Sequence, residues 1–334
     1  MICRQATRAA LCVVATALFV HTAFAVGTQP VKPPVRVGHI VGRGGSIFVS
    51  SNGGRSWMTQ SISLPSLTSV EFVNNNTGFV TGLKDLILQS VDGGKTWAKM
   101  SSKATRSFYD LTWFDSTTAL FVGGRIVQSE KGEWQTAEIE KTTDVGASWT
   151  QCPTPVDALM FCVAAGSKTR AVAVGDSGIA LSTSDGGITW QSHSSGSRNR
   201  LYAVDYYDSL TYIAVGASGT IVKSTDGGVT WNEQSCAAVE DLHGVVFSNS
   251  GTGIAVGNKG TIVRSLDAGA HWVSRNSGTD RDLLAADYFD DNVVMAVGDH
   301  GVMLRSVDAG YLWDNLDVFT TEALTRISFV LKDH

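Results

Sequence analysis

Carboxylates set at regular intervals are the residues of this chain whose type and spacing could do chemistry. One short motif, broadly Ser/Thr-x-Asp-x-Gly-x-x-Trp, occurs seven times, centred on Asn52, Asp92, Asp144, Asp185, Asp226, Asp267 and Asp308 and ending at tryptophans from Trp57 to Trp313. An Asp in a turn can accept hydrogen bonds from nearby backbone N–H groups, ligate a cation, or take part in catalysis. Calcium takes about six or more oxygen ligands; each motif offers a single carboxylate, and Asn52 makes the same turn with none. The seven are therefore assigned to turn-making, with no metal and no catalytic role. A second set, Glu71, Asp205 and Asp287, recurs at one equivalent position of three apolar runs. A glycosidase needs two opposed carboxylates about 5–10 Å apart. The other reading is that these three line a water-filled tunnel.

Turns need strands to join. The Trp-to-Trp steps are 40, 52, 41, 41, 41 and 41 residues. Each unit contains an alternating apolar run, at 67–72, 108–113, 156–161, 201–206, 242–247, 283–288 and 324–329. An Ala-Val-Gly-like run such as 213–216 follows, then a Gly-containing turn, a third run such as 220–224, the Asp turn, and a short run opened by the Trp. Period-2 patterning with glycine punctuation gives four strands per unit. Such a sheet cannot bury both faces alone, whereas seven arranged radially can. The first unit starts at its second strand, around 35–42, and the last ends on a first strand, 324–331. Together they complete one blade and remove both raw sheet edges. The predicted fold is all-β: a seven-bladed β-propeller of four-stranded antiparallel blades with 3+1 terminal closure, spanning 36–331 as one domain. The 52-residue step places an 11-residue insertion within 125–141.

Ahead of the repeats, Arg4 and Arg8 precede an uncharged run at 9–20, and Ala23-Phe24-Ala25 has the form of a signal-peptidase site. The run is shorter than the ~20 residues needed to span a bilayer. The expectation is a signal peptide at 1–25, a linker at 26–35 and an exported protein; an N-terminal membrane anchor is the alternative. No Cys directly follows the cleavage point, which argues against lipid attachment there. Cys152, Cys162 and Cys236 remain, and both a 152–162 disulfide and three free thiols fit the sequence. No Cys-x-x-Cys or His-x-x-His spacing offers a zinc site, and no motif calls for a cofactor. The formal net charge of −5 argues against a general nucleic-acid binder. With 43% hydrophobic and 17% charged residues, the chain has the composition of a folded domain.

In a blade of this kind, the loops between strands two and three share one face with the loops that lead from blade to blade. The Asp turns lie on the other face. The insertion belongs to the first, loop-bearing face and carries Trp134, which either anchors a partner or packs on its own blade. Basic residues recur just before first strands on the same face: Lys99, Lys103 and Arg106; Arg198 and Arg200; Arg275 and Arg281. They form a patch or are dispersed solvated charges.

The Asp turns resemble the Asp-boxes of the bacterial neuraminidase (BNR) repeat. The glycine-rich units at this count are most similar to the photosystem II stability and assembly factor family and its bacterial relatives. That resemblance, covering about 36–331, implies non-catalytic seven-bladed propellers exported to the periplasmic side or the thylakoid lumen, where they act as assembly chaperones. It also implies an arginine-rich binding face, carried here by Arg106, Arg200 and Arg281, although Asp280 and Asp282 flank the last. The expected partner is a protein, a membrane-protein subunit or complex, bound by a monomer without cofactor or nucleic acid. Sialidases share only the Asp-boxes. They have six blades and an Arg-Ile-Pro motif near the N-terminus, and the nearest match here, Arg326-Ile-Ser328, lies at the wrong end. A carbohydrate-active protein, sialidase-like glycosidase or lectin, is the alternative function, with Glu71, Asp205 and Asp287 as its acidic residues.

Overall fold

The computed structural model describes residues 37–61, 65–100, 106–129, 132–317 and 320–329. The expected signal peptide and linker lie outside them. Seven four-stranded antiparallel sheets form the described part of the chain. Blade 1 runs, from its first strand outward, Leu324–Phe329, Gly38–Gly42, Ser46–Ser50 and Met58–Ser61. The C-terminal strand thus completes the N-terminal sheet, in the register Gly38↔Phe329 and Ile40↔Ile327. Blades 2 to 7 each follow chain order, with first strands Leu67–Phe72, Ser107–Trp113, Met160–Ala165, Leu201–Tyr206, Leu242–Phe247 and Leu283–Tyr288.

One first strand departs from its sequence assignment. Blade 4 begins at Met160, four residues beyond the expected 156–161. The strand starts 11 residues after Trp149, the same offset that separates Trp190 from Leu201 and Trp231 from Leu242. Val156 satisfies an apolar pattern but sits in the connection from blade 3.

Second strands are buried along their whole length, as in Ala171–Gly175 and Tyr212–Gly216. Sheets packed on both faces call for continuous apolar runs rather than alternation, which accounts for the repeated Ala-Val-Gly. The tryptophans seal the blades: Trp149 of blade 3 lies 6.1 Å from the Phe79 ring of blade 2 and 4.8 Å from Phe121 of its own.

The Asp turns are closed hydrogen-bond units. In blade 4, Asp185 Oδ1 accepts from the N–H groups of Ile188 and Thr189 and from the Thr183 hydroxyl, while Thr189 Oγ1 donates to Oδ2 at 2.6 Å. Hydrogen bonding from Thr189 holds the Asp185 carboxyl down at about 2, and Thr96 does the same for Asp92. Gly187 takes φ +82, a conformation that strains any side chain. With Asn52, the Ser50 hydroxyl and the Ser56 N–H complete an uncharged version.

The insertion continues the sheet. Ala119–Ser129 and Gly132–Thr142, 11 residues each, pair without a break from Ala119↔Thr142 to Ser129↔Gly132. The first strand of blade 3 pairs only with residues 119–124, and its outer strand only with 139–141. Beyond those points the hairpin is a two-stranded ribbon rising from the loop face. Trp134 pairs with Val127 on this ribbon; its side chain lies outside the described residues.

Cys152, Cys162 and Cys236 are free thiols, which decides between the two readings left open by the sequence. Cys162 is wholly buried and donates to Asp110 Oδ2.

Candidate functional site

Every first strand opens with a β-bulge. The register shifts by one residue between positions such as Leu201 and Ala203, so Thr68, Tyr109, Phe161, Tyr202, His243, Leu284 and Thr325 have no partner on the second strand. A glycine at the end of the second strand makes room for this. A Cβ on Gly216 would lie 1.9 Å from the Arg200 carbonyl, and one on Gly175 2.1 Å from that of Leu159. A bulge re-aims the extra side chain. Five of the seven bulge residues, Thr68, Tyr109, Phe161, Tyr202 and Thr325, line one depression of about 320 Å³ with Arg43 and Leu83 of the loop face.

Four consecutive bulge residues are aromatic rings. Tyr109 and Phe161 lie 5.7 Å apart between centroids, Phe161 and Tyr202 6.1 Å, and Tyr202 and His243 5.1 Å. All four are half-buried. His243 Nε2 is 2.7 Å from Asn258 Oδ1, which orients the last ring. Partial burial pushes the Tyr109 and Tyr202 hydroxyls above their ordinary range, so both stay protonated donors. The result is an arc of apolar ring faces with polar tips, spanning blades 3 to 6, a surface suited to stacking against another chain. Reading the sequence by strand runs missed this set. The signal that locates it is the residue 12 positions after each tryptophan of blades 2 to 5, Trp97, Trp149, Trp190 and Trp231.

The expected arginines stand on blades 3, 5 and 7 and are not brought together. Arg106 is largely buried, its side chain 9% exposed; its guanidinium bonds Glu138 Oε2 and Glu140 Oε1, each at 2.7 Å. Both acids lie at the base of the long hairpin, where it is still part of the blade, so Arg106 braces that base instead of facing solvent. Arg125, half-exposed on the ribbon, shares Glu138 at 3.5 Å. Arg200 is half-exposed and pairs with Asp176 at 2.7 Å. Arg281 is exposed, with no ion pair among the described residues. Arg43, at the edge of the depression, is also exposed and was not singled out in the sequence.

Glu71, Asp205 and Asp287 do converge, on a narrow axial channel of about 140 Å³. Asp205 Oδ2 accepts the Phe247 N–H and Asp287 Oδ2 the Phe329 N–H, so each ties its blade to the next. Asp110 does this more elaborately: it accepts from Ser69 Oγ, the Val163 N–H and Arg326 of the closing strand, which reaches across blade 2. Burial, then the neighbouring Asp110, pushes the Glu71 carboxyl well above its usual range. Among the described residues no cluster of His, Cys, Asp and Glu suits a metal ion. The axial carboxylates fasten the inner ring.

The chain is 27% identical over 175 residues to the photosystem II assembly lipoprotein Ycf48 of Synechococcus sp. (strain CC9902), covering 51% of this chain and half the length of that curated relative. Solved structures share the fold at lower identity. One described as YCF48 bound to D1 peptide is 20% identical, with a TM-score of 0.60, covering 80% of this chain and 92% of that one. YCF48 from Cyanidioschyzon merolae is 20% identical at a TM-score of 0.59, covering 77% and 86%. An ancestral GH74 enzyme is 14% identical at 0.58, covering 79% of this chain and 38% of that one. The family model for the photosynthesis system II assembly factor YCF48 matches residues 31–132 and 141–238. Seven Asp-turn blades and a family match over more than half its length make this chain a member of that family.

Proposed function

We propose that the chain holds an extended segment of a membrane-protein subunit on its loop face while the subunit is assembled, photosystem II being the complex in a photosynthetic host. The observation that carries this is the arc of Tyr109, Phe161, Tyr202 and His243, four ring faces at one level beside an open depression. Arg200 and Arg43 flank the arc and supply charge at its rim, with Arg281 beyond it on blade 7; Trp134 on the ribbon adds a further anchor. Arg106 braces the base from which that ribbon rises. The protein acts as an exported monomer on the periplasmic or lumenal side, without a cofactor. The name of one structural neighbour, bound to a D1 peptide, supports a peptide ligand.

The test is titration of a fluorescent D1-derived peptide against the wild type and a Tyr109→Ala/Phe161→Ala/Tyr202→Ala variant. Removing aromatic anchors at an interface costs ~2 kcal/mol or more, a loss of affinity of about 30-fold. The melting temperature should change little, since the bulge residues lie outside the ladder. Unchanged affinity in a folded variant rejects the loop face as the binding face.

A further inference from the structure

The opposite face carries a second feature that the reading above does not use. Thirteen large apolar side chains are exposed among the described residues, and seven of them fall in blades 5 to 7 on the Asp-turn face. They are Tyr207, Leu210, Val229, Leu266, Val307, Tyr311 and Leu312, at 41–66% exposure. Five of these, Val229, Leu266, Val307, Tyr311 and Leu312, occupy the variable positions of the Asp turns, where nothing in the turn geometry demands an apolar residue. The surface is continuous from blade to blade: Tyr207 of blade 5 lies against Gly251 of blade 6, and Asn249 of blade 6 donates its N–H to Asp291 of blade 7. The loops of this sector hold six aspartates, Asp208, Asp226, Asp267, Asp290, Asp291 and Asp308, and no Lys or Arg. Desolvation opposes ionisation of Asp226 and Asp267, yet hydrogen bonds within the turns outweigh it and keep both carboxyls down at about 2. Cations reach this sector from flanking elements: Arg275 stacks over the Tyr311 ring at 4.8 Å, Arg264 bonds the Ala309 carbonyl, the Arg170 guanidinium of blade 4 lies against Gly227, and Lys223 acts on Asp208.

An exposed apolar patch marks an interaction site, and its surrounding charge selects the occupant. We infer that the Asp-turn face of blades 5 to 7 docks a basic amphipathic segment of a protein partner, with Lys and Arg among its apolar residues. A surface of anionic lipid is disfavoured, because six carboxylates would face negative headgroups. The inference rests on this protein being a binding scaffold, but on the face opposite the aromatic arc.

The experiment uses the full chain and a fluorescein-labelled 18-residue amphipathic Lys/Leu peptide, with its Glu/Leu counterpart as control. The expected result is at least 10-fold tighter binding of the Lys/Leu peptide, weakening as NaCl rises from about 50 to 500 mM. A Leu266→Ser/Val307→Ser/Leu312→Ser variant should lose about 10-fold for that peptide while keeping its melting temperature and its affinity for the D1-derived peptide. Val91→Ser, an equally exposed apolar position on blade 2, should leave binding unchanged. Equal affinity for both peptides, a triple variant that binds like wild type, or binding to phosphatidylglycerol vesicles as tight as to the peptide each overturns the proposal. Loss of D1-peptide binding by the aromatic variant alone leaves this result untouched, so the two readings fail separately.

Discussion

The two faces of the ring are built from the same four-stranded unit, yet they treat their polar groups in opposite ways. On the Asp-turn face, the repeated turn geometry is local: each turn carboxylate serves the residues that follow it, as Asp185 serves Ile188 and Thr189. On the loop face, polar groups work between elements: Arg106 joins Glu138 and Glu140, Arg200 joins Asp176, and Ser218 donates its N–H to Asp241 of the next blade. Positions that repeat in every blade carry architecture, and positions that vary from blade to blade carry the proposed recognition. The bulge residues, from Thr68 round to Thr325, vary in size and polarity around the mouth; the turn aspartates do not.

The sharpest way to break this contrast is Arg106→Met. It leaves Glu138 and Glu140 buried without their cation, and removing one partner of a buried pair costs about 3–5 kcal/mol. Urea denaturation should show a loss near the lower figure, since Arg125 still reaches Glu138. Wild-type stability would instead place Arg106 among the solvated cations. Asp226→Ala removes turn hydrogen bonds to a charged acceptor that is partly solvated, and should cost about 1 kcal/mol. Asp226→Asn, which retains the Oδ1 acceptor, should cost less, and neither should weaken peptide binding on the loop face.

Acid titration probes the turns together. The folded-state carboxyls of Asp92 and Asp185 lie at about 2, below the ordinary Asp value of 3.8. Depressed folded-state values mean that their stabilisation is complete above about pH 4 and is lost as pH falls toward 2. Melting temperature followed from pH 5 to 2 should therefore fall, and fall less in a chain whose turns carry Asn. The smallest effect concerns the channel. The raised Glu71 carboxyl means the folded state holds its proton more tightly than the unfolded one, so ionisation costs stability as pH rises above the unfolded value. Glu71→Gln should thus raise the melting temperature slightly at pH 7 and leave it unchanged near pH 4; a decrease at pH 7 would mean that the carboxylate is favourably held.

The ring itself was legible in the sequence because its signals are local. Tryptophan spacing, Asp turns and an unpaired first-strand pattern at 324–329 need no knowledge of distant contacts. The fate of Arg106 was hidden, because its partners lie 32 and 34 residues away on an insertion that reads equally well as a loop. The displacement of the blade 4 strand arose from weighing Val156 and Ala158 as an alternating run when the distance from Trp149 was the stronger constraint. The aromatic arc escaped for a related reason: alternation assigns a bulged residue to the wrong side, and the close approach at Gly216 that forces the bulge is invisible until the chain is folded.

A chain whose opening sheet is finished by its closing strand can lock only when all of it has arrived. Thr325 Oγ1 bonds the Val41 carbonyl across 284 residues of sequence. Delivered end-first, from a ribosome or through a translocation pore, blade 1 waits with a bare flank until Leu324–Phe329 slots in and Arg326 reaches Asp110. That seam is where the ends of the hoop meet, so proteolysis during synthesis and forced unfolding should both find it first.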